Sequence, residues 1–320
     1  MDLQLQARDE DLAALQLEKG GMALVDPERQ RELLEYFSGF PIHRASGGSA
    51  ANTMIAIAQL GGAVAYGCLV GDDEYGHFYL NEMNDLGVVL HTAPVAGAVT
   101  GTSIIVISTD AERTMNTHLG ASAGFTGREV SRECIKDAEW LYIEGYLFSS
   151  ETGRDAVRTA VRFAKECGTK IAITFSDAFI IDFFGDALRV AVASADLVFA
   201  NLTEAKRFTG EESEDEAFRA LCDACPGAVM TMSERGARAQ WQGTHALISS
   251  VPVKAIDDTG AGDMFAGGFL YGISHGMTIQ DSGRLACLLA SRVVAQLGPR
   301  LKGDVRTVVE TKEYLTATGV

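Results

Sequence analysis

Basic residues are scarce: 27 Lys and Arg stand against 43 Asp and Glu in 320 residues, a net charge of −16 with His neutral. That balance argues against a nucleic-acid backbone or an anionic membrane as the main partner. It leaves an anionic small molecule open, because backbone N–H groups and a divalent metal can build a phosphate site without surplus Lys or Arg. No stretch approaches the roughly 20 apolar residues of a membrane span, and residues 1–11 have neither the basic start nor the apolar core of a secretory signal. A cytoplasmic protein is expected. The six cysteines are scattered, and only Cys222 and Cys225 form a CxxC. With no second pair and no clustered His, these two read as half-buried cysteines at a helix end rather than a zinc or redox site. No GxxxxGK[ST] occurs, no GxGxxG follows a first strand, and the protein-kinase motif set is absent. Walker-type NTPases, dinucleotide oxidoreductases and protein kinases are therefore disfavoured.

The chain is 47% hydrophobic and 22% charged, enough to bury a large core as one large domain or two ordinary ones. Asp26-Pro27 opens a helix to about Phe37, and Ser49 to Leu60 forms another that Gly61-Gly62 stops before a strand over Ala63 to Val70. A further helix runs from Glu74 to Leu86. From Glu139 onward strands alternate with amphipathic helices: Trp140 to Ile143, helix Glu151 to Cys167, Lys170 to Phe175, a helix to Val192, and Leu197 to Ala200. A helix near Thr203, strand Ala228 to Met232, and helices Met264 to Ser274 and Ile279 to Leu297 follow. This alternation predicts an α/β fold, a mostly parallel sheet covered by helices on both faces. Gly101 to Ser108 and Arg113 to Thr117 break the pattern as paired strands around the turn Thr109-Asp110-Ala111-Glu112. With Leu3 to Gln6 and Met22 to Val25 they predict a small β flap.

In an open α/β sheet, ligands bind beyond the carboxyl ends of the strands, and three segments have suitable chemistry there. In Asp257-Asp258-Thr259-Gly260-Ala261-Gly262-Asp263, the small residues Gly260, Ala261 and Gly262 let N–H groups at a helix N-terminus approach an anion, and Asp263 could take a proton from an attacking hydroxyl. Alone, the segment reads equally as a turn with Asp263 as a helix cap. Gly47-Gly48-Ser49-Ala50-Ala51-Asn52 lets backbone pass against a polyhydroxylated ligand, with Asn52 suited to vicinal hydroxyls. A glycine turn with a surface Asn competes with that reading. Asn201-Leu202-Thr203-Glu204 puts an amide and a carboxylate at a strand end, where Glu204 suits a Mg²⁺ held mainly through water and phosphate, or else simply completes a capping box.

As an ordered set, Gly47-Gly48…Asn52, Asn201…Glu204 and Asp257…Gly260-Ala261-Gly262-Asp263 closely resemble the ribokinase-like (PfkB) carbohydrate and nucleoside kinases, over essentially the whole chain. His43 to Asn52 and Glu112-Arg113-Thr114-Met115-Asn116-Thr117 look most like the adenosine kinase branch. The resemblance implies a doubly wound α/β body as a single domain, with a β lid from about 1–8, 20–25, 40–47 and 97–120. It implies ATP and Mg²⁺, admits a monovalent cation, and implies phosphoryl transfer to a primary hydroxyl of a ribonucleoside or sugar. Asp263 would be the base, Gly260, Ala261 and Gly262 the anion hole, and Gly47, Gly48 and Asn52 the acceptor set. Asn201 would serve the phosphates and Glu204 the metal. Thr231-Met232-Ser233-Glu234-Arg235-Gly236 resembles the nucleotide-side turn, giving Thr231, Ser233 and Gly236 to ATP, with the neighbours of Ser291 near the adenine. A small-molecule partner is expected, with no nucleic acid and no membrane, in a monomer or a homodimer through the lid.

Asp258 stands where the family usually has Thr, and Ser233 where Gly is common. The family's first strand, ending in Asn-Ala-x-x-Asp, has no counterpart; Met1 to Gln6 looks like its continuation, so a late start assignment or a truncation is expected: Asp2 could stand in for the lost carboxylate, but alignment with the neighbouring strand favours a residue upstream of Met1. A catalytically impaired ligand-binding or regulatory relative is the alternative function.

Overall fold

The computed structural model describes residues 1–110 and 112–317; Ala111, within the expected turn of residues 109–112, lies outside them. Local chemistry sets many element ends. Asp26 accepts the Arg29 N–H at 2.8 Å with Pro27 opening helix Pro27–Tyr36. Ser150 caps helix Glu151–Cys167 through the Gly153 N–H at 3.0 Å, and left-handed Gly168 closes it.

The chain gathers into two compact units, one of Met1–Gly48, Gly67–Asp85 and Val89–Phe125, the other of Ser49–Tyr66, Leu86–Val88 and the chain from Thr126. The first unit is built on a five-stranded sheet in the order Met22–Leu24, Arg113–His118, Thr102–Ile107, Asp2–Gln6, His43–Ala45. Asp2–Gln6 lies parallel to Thr102–Ile107, with Leu3 opposite Ile104 and Leu5 opposite Val106, all buried. Thr102–Ile107 and Arg113–His118 are antiparallel neighbours.

The second unit holds a six-stranded sheet in the order Thr244–Ile248, Ala237–Trp241, Gly227–Thr231, Leu197–Asn201, Lys170–Thr174, Trp140–Glu144. The four strands from Trp140 to Thr231 are parallel, and the remaining two form an antiparallel hairpin on the far edge. Successive residues face opposite sides. Ile171, Ile173, Val198, Ala200, Ala228 and Met230 pack toward the helices that connect the parallel strands. Ala172, Leu197, Phe199 and Val229 face Ala261–Ser274 and Ile279–Val294 instead. The strand order steps in one direction, so right-handed crossovers lay the connecting helices on one face. The α/β fold with both sheet faces covered agrees with expectation.

Helix Ser49–Gln59 packs on Ala261–Ser274 through small residues: a Cβ on Gly267 would lie 2.7 Å from Ala56 Cβ and 2.9 Å from Thr53 O. Any side chain there would push the two helices apart. Elsewhere the structure departs from the sequence reading. The strand expected over Ala63 to Val70 is only Val64–Tyr66. The hairpin Ala237–Trp241 and Thr244–Ile248 was unexpected; its Gln242-Gly243 turn has both φ positive, 50° and 75°, matching strand twist with a weaker signal than Asn-Gly. Helix Glu214–Ala224 was also unexpected; Cys222 lies half-buried in its last turn and Cys225 buried just beyond, both as free thiols. No helix among the described residues is long and apolar enough to cross a membrane.

Candidate active site

Gly260 adopts φ 77° and ψ 2° immediately before helix Ala261–Ser274, and a Cβ on it would lie 2.6 Å from Pro299 O. Turn geometry and packing both require glycine here. Buried Asp257 braces the loop, one carboxylate oxygen accepting the Thr259 N–H at 3.0 Å and the other the Gly298 N–H at 2.9 Å. The helix thus starts from a fixed backbone, its first-turn N–H groups lacking intrahelical acceptors and its dipole favouring an anion.

Asp263 sits in this first turn, and its carboxylate is held from a helix far away in sequence. Ser49 Oγ–H donates to one oxygen at 2.7 Å and Asn52 Nδ2–H to the other at 3.0 Å. Three residues apart on helix Ser49–Gln59, these donors share one face. The Asn52 Oδ1 is buried with no hydrogen-bond partner, an acceptor oriented by the bond its amide nitrogen makes to Asp263.

Asn201 and Glu204 form a reciprocal cap at the head of helix Leu202–Thr209. Asn201 Oδ1 accepts the Glu204 N–H at 2.9 Å, while the Glu204 carboxylate accepts the Asn201 N–H at 2.9 Å and its amide at 2.8 Å. The capping geometry is therefore real, and it leaves a carboxylate fixed at the end of strand Leu197–Asn201. Burial pushes the Glu204 carboxyl up to about 7, the Asn201 N–H opposes this, and nearby Asp177 adds to it. No group of three or more His, Cys, Asp or Glu side chains among the described residues could by itself hold a metal ion.

Two further acidic groups join this region. Glu144 ends strand Trp140–Glu144 and accepts the Ala50 N–H at 2.9 Å; burial raises its carboxyl pKa, against the pull of that N–H. Asp177 caps helix Ala178–Val192 through the Phe179 N–H at 2.9 Å. The Tyr146 phenol shows the convergence: burial drives its pKa far up, and the carboxylates of Asp177, Glu144, Asp263 and Glu204 all push the same way. Within the second unit, Asp263, held by Asn52, and Glu204 thus both act on the Tyr146 phenol.

Gly47 and Gly48 belong to the first unit. Tyr79 donates its hydroxyl to Gly47 O at 3.1 Å, and Glu82 accepts from Ser46 Oγ–H at 2.6 Å, so helix Glu74–Asp85 holds this turn. A Cβ on Gly47 would collide with the Asp2 carboxylate. In the second unit, Thr231 ends its strand, the Met232 N–H bonds Gly236 O at 2.8 Å, and Ser233 takes φ 54°. The position where glycine is common is thus left-handed in this chain. Ser291 is buried and its hydroxyl bonds Leu288 O at 2.8 Å.

Ser49, Glu144, Asp177 and Asp257 escaped the sequence reading as site residues. Asp257 left a signal in the Asp-x-Thr spacing of an Asx turn; Ser49 and Glu144 left none, since their partners are distant in sequence.

The chain matches the model of the pfkB family of carbohydrate kinases over residues 38–304. It is 28% identical to a ribokinase of Haemophilus influenzae over 288 residues, 88% of this chain and 90% of that protein. It is also 28% identical to the adenosine kinase of Saccharomyces cerevisiae, with 93% of each covered. The crystal structure of adenosine kinase from Sinorhizobium meliloti superposes with a TM-score of 0.88 at 32% identity, covering 97% of this chain and 96% of that one. With Asp263 at the Gly-Ala-Gly helix head and the family match spanning most of the sequence, the chain belongs to the PfkB family and is a sugar or nucleoside kinase, a phosphotransferase.

Proposed function

We propose that this kinase transfers the γ-phosphoryl group of ATP to the primary hydroxyl of an adenosine-like ribonucleoside. The observation that carries this reading is the Asp263 carboxylate, braced through both oxygens by Ser49 and Asn52 at the head of the Gly-Ala-Gly helix. In that position Asp263 accepts the proton of the attacking hydroxyl. The Ala261 N–H is taken by Asp258 O at 3.2 Å, which corrects its expected place in the anion hole; the N–H groups of Gly260 and Gly262 are left to face charge developing on the transferred group, a role that a fixed loop performs without reorganisation. The unpartnered Oδ1 of Asn52 supports its place in the acceptor set: it is a buried acceptor needing a hydroxyl donor. Gly47 and Gly48, in the first unit, are assigned to the acceptor set by the family motif they match, and Asp2 lies beside Gly47.

Asn201, Thr231, Ser233 and Gly236 form the nucleotide side. A single buried carboxylate, Glu204, with no multidentate His, Cys, Asp or Glu cage among the described residues, fits Mg²⁺ that arrives with the nucleotide and takes its other ligands from phosphate and water. Bound there, the metal would neutralise phosphate charge; Glu204 would orient it. A nucleoside is preferred over a free sugar because of the segments His43 to Asn52 and Glu112 to Thr117 and the similarity to adenosine kinases. A coupled ADP-release assay over nucleosides and free sugars tests the reading. The highest kcat/KM is expected with adenosine; a free hexose or pentose preferred over every nucleoside would overturn the acceptor assignment, and no turnover with any acceptor would favour a ligand-binding relative.

A further inference from the structure

We propose that Glu144 is a positioning residue for Asp263: by holding the Ala50 N–H it fixes the first turn of helix Ser49–Gln59, and with it the two donors that orient the Asp263 carboxylate. The inference deepens the proposed function and rests on its reading of Asp263 as the base. Ala50 lies between the two donors, one residue after Ser49 and two before Asn52. Helix Ser49–Gln59 has no acidic residue in its own first turn. The Ser49 hydroxyl is engaged by Asp263 at 2.7 Å. Glu144 supplies an acceptor for this helix end, from the sheet rather than from the helix.

The anchor is rigid. Glu144 pairs with Thr174 in the parallel ladder, and the next residue, Gly145, donates its N–H to Ser176 Oγ at 2.8 Å. A sheet end therefore fixes a helix start, and two side chains of that helix fix the base. The titratable groups that feel the Glu144 charge are Tyr142 and Tyr146, while the Ala50 N–H itself bonds Glu144. Hydrogen bonds donated to a carboxylate favour its ionised form, so loosening Ser49 and Asn52 makes Asp263 easier to protonate and less well aimed.

The test compares Glu144→Ala and Glu144→Gln with the wild type, and repeats Glu144→Ala in a Ser49→Ala/Asn52→Ala background. The Asp263 carboxyl is titrated by carbon-13 NMR in protein without substrate, alongside kcat, acceptor KM and thermal midpoint. Glu144→Ala is expected to raise the Asp263 pKa by about one unit and lower kcat by about tenfold, with acceptor KM changed less than about twofold. Glu144→Gln, whose amide oxygen still accepts the Ala50 N–H, should restore most of both. In the double-alanine background, Glu144→Ala should cause no further shift, because its route to Asp263 is gone. An unmoved Asp263 titration would overturn the proposal, as would a raised acceptor KM without that shift, which would make Glu144 a substrate contact. The titration needs no turnover. Loss of the kinase reading would show separately, as an Asp263→Asn variant with wild-type kcat.

Discussion

Asp263 and Glu204 are both carboxylates in the first turn of a helix, held in opposite ways. Glu204 is fixed by Asn201, three residues before it, in a closed local motif. Asp263 is fixed by Ser49 and Asn52, 214 and 211 residues away, and reaches them only because Gly267 lets two helices touch. A local cap is robust: it forms whenever its helix forms, and its cost of failure is about 1 kcal/mol. A long-range clamp depends on the packing of the whole unit, but it can aim a carboxylate with donors the helix itself lacks. The residue proposed to orient the metal sits in the first kind of site, and the proposed base in the second.

The largest expected effect breaks the comparison at its catalytic end. Asp263→Asn should keep fold and nucleotide binding while lowering kcat by roughly 10²- to 10⁴-fold, because the amide conserves shape but cannot accept the proton. Steady-state kinetics with a thermal melt checks this, and a wild-type kcat would remove Asp263 from the chemistry.

Next comes the local carboxylate. Glu204→Gln should raise the Mg²⁺ concentration needed for half-maximal turnover and lower kcat, with acceptor KM little changed. In the wild type, apparent Mg²⁺ affinity should weaken as pH falls below about 7, where Glu204 holds its proton, and the Gln variant should lose this dependence. The same shift sets a sign for stability. The folded pKa lies above the unfolded one, so the native state binds the proton more tightly. The contribution of Glu204 is fully present below about pH 4.5 and is lost as pH rises through about 7. Metal-free melts across that window, wild type against Gln, measure it; identical curves would contradict the buried, protonated carboxyl.

Gly260→Ala probes the backbone on which the clamp depends. A left-handed φ of 77° and a collision with Pro299 predict a loss of about 1 to 3 kcal/mol in denaturant unfolding, with kcat falling as the loop shifts. An alanine variant with unchanged stability would mean that the loop relaxes freely. The smallest effect belongs to Ser233, left-handed at φ 54°. Ser233→Gly relieves strain of about 1 kcal/mol but frees the unfolded chain by nearly as much, so a net change within about 1 kcal/mol is expected. A larger loss would assign the serine side chain a role of its own.

The sequence by itself determined what depends on neighbours a few residues apart. Asp26-Pro27, Ser150 and Asn201…Glu204 mark helix starts through side chains that reach their own first turn, and apolar runs from Trp140 to Met232 alternate with helices at the period of a parallel sheet. The hairpin at Gln242-Gly243 was legible only faintly, since glutamine is a poor indicator of positive φ. The motif residues Gly47, Gly48, Asn52, Glu204 and Asp263 could be named because, as an ordered set, they resemble the pattern of the PfkB family. Tertiary structure alone decided that Asn52 turns its amide nitrogen to Asp263 and that Ser49 supplies the second donor. It also decided that Glu144 reaches a helix 94 residues away. The physical reason is that such bonds join segments whose sequence positions carry no trace of each other. Small residues and sheet register bring them together, and only packing reveals which polar atoms meet.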